Sequence, residues 1–197
     1  MNITSTDIKI AVLSYYRYKK QAISADEVGF ILGRTDISVY KGGILAEIEI
    51  KTSKSDIWHG EKIKTPKHAI YRTLNFNVNG RRYTIPNYFY MCVPTELLAE
   101  AEKFVLTINE KYGILSYNES KHSYSWDDDM SHRISVYKKA HILHTESHKT
   151  ALNKIASRLS SHNIILQQKL KNIQQEYQKI YQELKEIKNG GRSSIST

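Results

Sequence analysis

Apolar and polar positions alternate along this chain with two different periods. Over residues 7–20 the apolar side chains of Ile8, Ile10, Ala11, Leu13 and Tyr15 fall at helical spacing, with Thr4, Ser5 or Thr6 available as a cap. Residues 24–32, 35–41 and 44–51 follow the two-residue period of strands. Gly33-Arg34 marks a turn after the first, and Gly42-Gly43 is a hairpin signal between the second and third. A polar stretch leads to Pro66 and a predicted helix over 67–76, and Asn79-Gly80 reads as a turn. The apolar run 87–93 predicts a buried strand. Thr95 caps an amphipathic helix to about Lys111, which Gly113 ends. Residues 114–118 and 133–143 supply two more strands. The order is α-β-β-β-α-β-α, then two strands and a long helix.

The final helix differs in kind. From about Thr150 to Lys188, apolar residues recur at three- and four-residue steps, with regular alternation from Leu170 through Ile173, Tyr177, Ile180, Leu184 and Ile187. Four-residue steps on both sides of Leu166 mark a phase slip. A helix of this length spans roughly 55 Å at ~1.5 Å per residue, too long to pack wholly on one small domain. A coiled coil with a second copy is the expected arrangement, and packing back on the domain is the other. The predicted organisation is a domain over 1–145, a coiled-coil helix over 146–190 and a loose Gly- and Ser-rich tail over 191–197.

Charge narrows the partners. Lys and Arg number 29 against 20 Asp and Glu, a net +9 that favours polyanions, nucleic acid first among them. The single cysteine, Cys92, sits in an apolar run and is expected to be a buried thiol. No run suits a signal peptide or a membrane span, which predicts a cytoplasmic, reducing setting. There is no phosphate-binding glycine-rich loop, so no nucleotide cofactor is expected.

The hairpin around Gly42-Gly43 carries the candidate chemistry. If those glycines form the turn, Lys41 faces Ile44, Ser38 faces Glu47, Asp36 faces Glu49 and Arg34 faces Lys51. Alternation then puts Arg34, Asp36, Ser38, Glu47, Glu49 and Lys51 on one face. Ile37, Val39, Ile44, Ala46, Ile48 and Ile50 form the other, a core face. Two carboxylates at ~5 Å repel by roughly 3 kcal/mol at an effective dielectric near 20. A shared proton, Arg34 and Lys51, or a bound cation could offset this, and Mg²⁺ suits two carboxylates completed by water. Lys51 lies within reach of an attacking water or a phosphate oxygen. Glu27 joins the group if an even-length loop connects the first two strands; a three-residue loop turns it away.

At these residues the chain resembles the PD-(D/E)xK nuclease superfamily, and within it the small MmcB-like DNA-repair group. The string is Glu27-Val28, Gly33-Arg34-Thr35-Asp36-Ile37, Glu47-Ile48-Glu49-Ile50-Lys51-Thr52-Ser53 and Asp56, within a resemblance covering residues 7–94. It implies an α/β, restriction-endonuclease-like α-β-β-β-α-β core with a mixed sheet. Asp36 and Glu49 match the metal-binding acids, Lys51 the family lysine and Glu27 the upstream acid that supports a metal. Thr35 stands where the nominal proline would be. The resemblance implies Mg²⁺- or Mn²⁺-dependent cleavage of DNA, in repair, restriction or phage DNA processing. Lys62, Lys64, Lys67 and His68 resemble the basic residues that contact nucleic acid from the next helix. Residues 114–197 lie outside the resemblance.

The alternative is a non-catalytic nucleic-acid-binding or assembly protein that keeps this fold. Trp58 is expected to close the core edge. His141, His144 and His148 lack an obvious completing ligand, and Asp127-Asp128-Asp129 lacks the pattern of a calcium loop.

Overall fold

A computed structural model describes residues 3–30, 33–60, 65–78, 80–120 and 129–190. The strands are β1 (Ile23–Asp26), β2 (Gly29–Phe30), β3 (Gly33–Arg34), β4 (Ile37–Lys41), β5 (Ile44–Ile50), β6 (Asn77–Val78), β7 (Arg81–Arg82), β8 (Tyr88–Pro94), β9 (Gly113–Tyr117) and β10 (Ile134–Lys138). The α-helices are α1 (Ser5–Ser14), α2 (Thr65–Thr73), α3 (Leu98–Ile108) and α4 (Lys149–Gly190). Six strands form one mixed sheet in the order β1-β4-β5-β8-β9-β10, with β5, β8 and β9 parallel to one another and the outer pairs antiparallel. The fold is mixed α/β, and its first six principal elements run α-β-β-β-α-β as the sequence predicts.

Strand alternation divides the core between the two faces of the sheet. On one face Ile37, Val39, Ile48, Ile50, Cys92 and Leu115 pack with Ile8, Ala11 and Val12 of α1. On the other, Phe89, Met91, Val93 and Ile114 meet Tyr71 of α2 and Ala101, Phe104 and Val105 of α3. Thr4 and Asp7 start α1 with a reciprocal capping box. The helix then widens into one π-helical turn over Tyr15–Lys19. At the β4–β5 turn, φ is +58° at Gly42 and +87° at Gly43, angles that favour glycine. Gly113 answers a different need: a Cβ there would fall within 2.5 Å of the Tyr90 ring.

The predicted strand over 24–32 is interrupted. β1 ends at Asp26, Glu27 takes a positive φ of 49°, and a two-residue ribbon, β2–β3, follows. The backbone nonetheless stays tied to β4's entry, because the Glu27 N–H donates to the Asp36 carbonyl at 3.0 Å. Asn87 performs a clamp invisible in the hydropathy pattern. Its backbone and Oδ1 bond both polar groups of Leu45, while its Nδ2 donates to the carbonyls of His144 and Glu146.

The chain divides into two units between Arg158 and Leu159, later than the predicted boundary at 145/146. The first turns of α4 belong to the α/β unit, since Ala151 and Ile155 are buried with Ala25, Val28 and Leu45. Beyond the division, the large apolar side chains Leu166, Leu170, Ile173, Tyr177, Ile180, Leu184 and Ile187 are exposed. The predicted tail, 191–197, lies outside the described residues. No described helix is long and apolar enough to cross a membrane.

His148 gives the α/β unit a pH dependence. Burial, with neighbouring His144, lowers its pKa from 6.5 to about 4. The unfolded chain therefore takes up a proton near pH 6.5 that the folded chain refuses until about pH 4. Stability is complete above that upper value and falls with acidification through this window, by about 2 kcal/mol at pH ~5. Chemical denaturation at neutral and mildly acidic pH should show this loss, and His148→Gln should flatten it.

Candidate functional site

The β4–β5 ladder has the register expected from the glycine turn, with Lys41 opposite Ile44, Ser38 opposite Glu47 and Ile37 opposite Ile48. The ladder ends there, and Asp36 and Glu49 are the next residues of the two segments, at the mouth of the hairpin. Asp36 precedes the first ladder residue of β4, and its Oδ2 accepts the Ile50 N–H at 2.8 Å. That bond caps the end of the ladder and draws the aspartate against β5. On the far side of β5, the Lys51 N–H donates to the Cys92 carbonyl of β8 at 3.0 Å. Asp36 and Lys51 are thus held by backbone groups on the two flanks of β5.

Four members of the polar face are buried, while Arg34 is exposed and Asp36 half-buried. Exposure is 0% for Ser38 and Glu49, 3% for Glu47 and 4% for Lys51, with Lys67 and Tyr71 of α2 and Asp56 packed against these side chains. Buried carboxylates need counter-charge, and the principal source is one that sequence reasoning assigned elsewhere. Lys67 of α2 forms ion pairs with Glu47 and, at 2.6 Å, with Glu49 Oε1. Tyr71, one helical turn on, donates its hydroxyl to Glu47 Oε2 at 2.6 Å. Lys51 lies 4.0 Å from Glu49 Oε2 and 3.4 Å from Asp56 Oδ1. Asp56 is fixed in turn, since its backbone N–H donates to Ser53 Oγ at 3.0 Å.

Burial alone would depress the Lys67 ammonium. The charges and hydrogen bonds of Glu47 and Glu49 outweigh it and hold the group above its ordinary value, hence protonated. Burial pushes the Glu47 carboxyl up, with the Glu49 charge adding to the effect and Lys67 pulling against it. Tyr71 is raised by burial and by the adjoining Glu47 charge, so its hydroxyl stays a donor.

The other sequence-predicted residues fall differently. Glu27 is committed to Lys9 at 2.9 Å, Arg158 at 3.6 Å and Arg34 at 3.8 Å. Its left-handed backbone breaks the strand that was to carry it onto the acid face. Lys67 and His68, expected to contact nucleic acid, are 7% and 4% exposed. His68 Nδ1 shares a hydrogen bond with the Tyr112 hydroxyl at 2.9 Å and sits edge-on to Phe89. The helical face taken for a phosphate-binding surface is the one that packs on the sheet. Lys62 and Lys64 lie outside the described residues, as do Asp127 and Asp128. Trp58 packs edge-on against Phe104 and donates to Glu100.

A divalent cation can be tested against this donor set. Among the described residues, no group of three His, Cys, Asp or Glu side chains gathers as a metal site. Asp36 and Glu49 offer two carboxylates from adjoining chain segments. That fits Mg²⁺, which commonly binds through one or two protein carboxylates and keeps several waters.

Sequence reasoning missed Tyr71 and the role of Lys67 as partner of Glu47. Glu47 was already on the polar face, and the four-residue spacing of Lys67 and Tyr71 could have linked them on one side of α2. Removing Lys67 leaves two buried carboxylates short of a cation. Lys67→Met should lower unfolding stability by about 3–5 kcal/mol, and adding Glu47→Gln should restore part of it. Denaturant titration of the single and double variants measures both effects.

No family model matches the chain, and no curated protein matches it. Among solved structures, the chain is similar to the crystal structure of a FdxN element excision controlling factor protein from Anabaena variabilis. The match has 17% identity and a TM-score of 0.36, and covers 57% of this chain and 91% of the other.

Proposed function

We propose that this chain is a divalent-metal-dependent endonuclease that hydrolyses DNA phosphodiester bonds, with Asp36 and Glu49 as metal ligands and Lys51 as the assisting amine. The observation that carries the reading is the seat of Lys51: a buried ammonium beside Glu49 and Asp56, at the mouth of the hairpin where Asp36 meets β5. A restriction-endonuclease-like core is part of the same reading, supported by the α-β-β-β-α-β order and the Asp36, Glu49 and Lys51 pattern.

Each protein group has a distinct task. Asp36 and Glu49 would hold Mg²⁺ or Mn²⁺, and Lys67 fixes Glu49 through Oε1. The cation, when bound, would polarise the phosphate and acidify the attacking water. Lys51 would orient the attacking water and offset negative charge on the phosphate. Glu27 has no part in the set, since its carboxylate is engaged by Lys9. The buried ammonium of Lys67 favours a second reading, a non-catalytic nucleic-acid-binding protein on the same fold, because it already compensates Glu47 and Glu49. The two readings separate on cleavage itself.

Partners follow from charge and from the long helix. The net charge of +9 supports a DNA substrate. Leu170, Ile173, Tyr177, Ile180, Leu184 and Ile187 supply alternating three- and four-residue steps of exposed apolar surface, which supports a homodimeric coiled coil.

Supercoiled, single-stranded and branched DNA incubated with Mg²⁺ or Mn²⁺ should be cut. Lys51→Ala should reduce the rate by about 100-fold or more while keeping the circular-dichroism spectrum. No metal-dependent cutting of any substrate by the unmodified chain selects the binding reading instead. In sedimentation, the full chain should run as a dimer, and Ile173→Lys with Ile180→Lys should make it a monomer.

A further inference from the structure

The face of the sheet opposite the acid cluster holds a cavity of about 540 Å³ between the end of α1, the β4–β5 hairpin and the segment after β10. Its walls are aromatic. Tyr15 and Tyr16 come from the π-helical turn, Tyr88 and Tyr90 from β8, and Val39 and Ala46 lie on the sheet between them. Tyr15 and Tyr16 are consecutive, and both line the cavity from the widened turn. Turns of this kind recur at functional sites. Tyr90 is seated where Gly113 leaves room for its ring.

The lining residues include three lysines and no acid. Lys20, Lys41 and Lys139 are all exposed. Two of them are fixed beside one another: Lys41 Nζ donates to the Lys20 carbonyl at 2.7 Å, and Lys20 Nζ stands 5.3 Å above the Tyr15 ring. Burial holds the Tyr16 phenol far above its ordinary value, so its hydroxyl remains neutral. The site therefore joins an apolar, aromatic interior to a cationic rim. Its size is that of a small-ligand pocket.

A ligand that satisfies both parts has aromatic planes for the tyrosines and anions at its edge for the lysines. Aromatic platforms beside basic side chains are the means by which proteins bind unpaired bases without reading their sequence. The excess of positive charge on the whole chain points to the same polyanion. We propose that the tyrosine-lined cavity binds a short segment of single-stranded nucleic acid, with bases among Tyr16, Tyr88 and Tyr90 and phosphates along Lys20, Lys41 and Lys139. Duplex would not enter, because its bases are already stacked and paired. The cavity and the Asp36–Glu49 pair lie on opposite faces of the sheet, so the site is separate from the proposed hydrolytic one.

The test uses the full chain without divalent metal, so that cleavage plays no part. A fluorescein-labelled oligo(dT) hexamer reports binding by anisotropy, and a 2-aminopurine hexamer reports stacking by quenching. The expected result is binding of the hexamers in preference to duplex of the same length. Lys20→Glu with Lys139→Glu should weaken it at least tenfold, while the distant charge reversal Lys103→Glu should change it less than twofold. Tyr16→Leu, which keeps apolar volume, should reduce 2-aminopurine quenching. The proposal is overturned if the cavity variants bind like the unmodified chain, or if duplex binds as tightly as the hexamer. Uptake of thymidine monophosphate or oleate with no hexamer binding overturns it as well.

Discussion

Two glutamates at alternate positions of β5 share one buried face, and a single ammonium from α2 makes that arrangement stable. Glu47 and Glu49 are almost fully removed from water, where isolated carboxylates cost several kcal/mol each. Lys67 bridges both, and Tyr71 donates to Oε2 of Glu47. The same contacts dock α2 on the sheet and fix the side chain of Glu49. Packing of the helix and preparation of the acid pair are therefore one event. The design is sensitive: loss of either sign of charge leaves the other stranded in a low-dielectric interior.

Around this cluster, backbone hydrogen bonds hold the open end of the hairpin. The Ile50 N–H takes Asp36 on the β4 side, while the Lys51 N–H takes Cys92 on the β8 side. Lys51 then reaches between Glu49 and Asp56. Rigid strands are a good platform for such a group, since a misplacement of about 1 Å is costly in catalysis. The proposed chemistry asks little motion of the chain and relies on charges already in place.

Much of this was legible in the amino-acid pattern, and the failures are informative. Gly42-Gly43 determines the hairpin turn, and the two-residue period then assigns every neighbour to a face, which is why the pairing of Ser38 with Glu47 could be read directly. The apolar run at 87–93, observed as the strand Tyr88–Pro94, was equally plain. Burial of the polar face was not, because charge on a strand ordinarily signals solvent. Lys67 and His68 looked like a basic surface for the same reason; tertiary contacts with Glu47, Glu49 and Tyr112 decided otherwise. Glu27 depended on loop geometry, and a positive φ at a glutamate has no sequence signature. Asn87 is one polar residue beside an apolar run, and its clamp rests on carbonyls 57 and 59 residues away.

The central claim is that Asp36 and Glu49 share one divalent cation beside Lys51. A crystal structure of the chain grown with Mn²⁺, with anomalous data collected near the manganese edge, addresses it directly. The account predicts an anomalous peak coordinated by both carboxylates, with Lys67 still on Glu49 Oε1. Well-ordered Asp36 and Glu49 with no peak between them, or manganese bound only elsewhere, would contradict it.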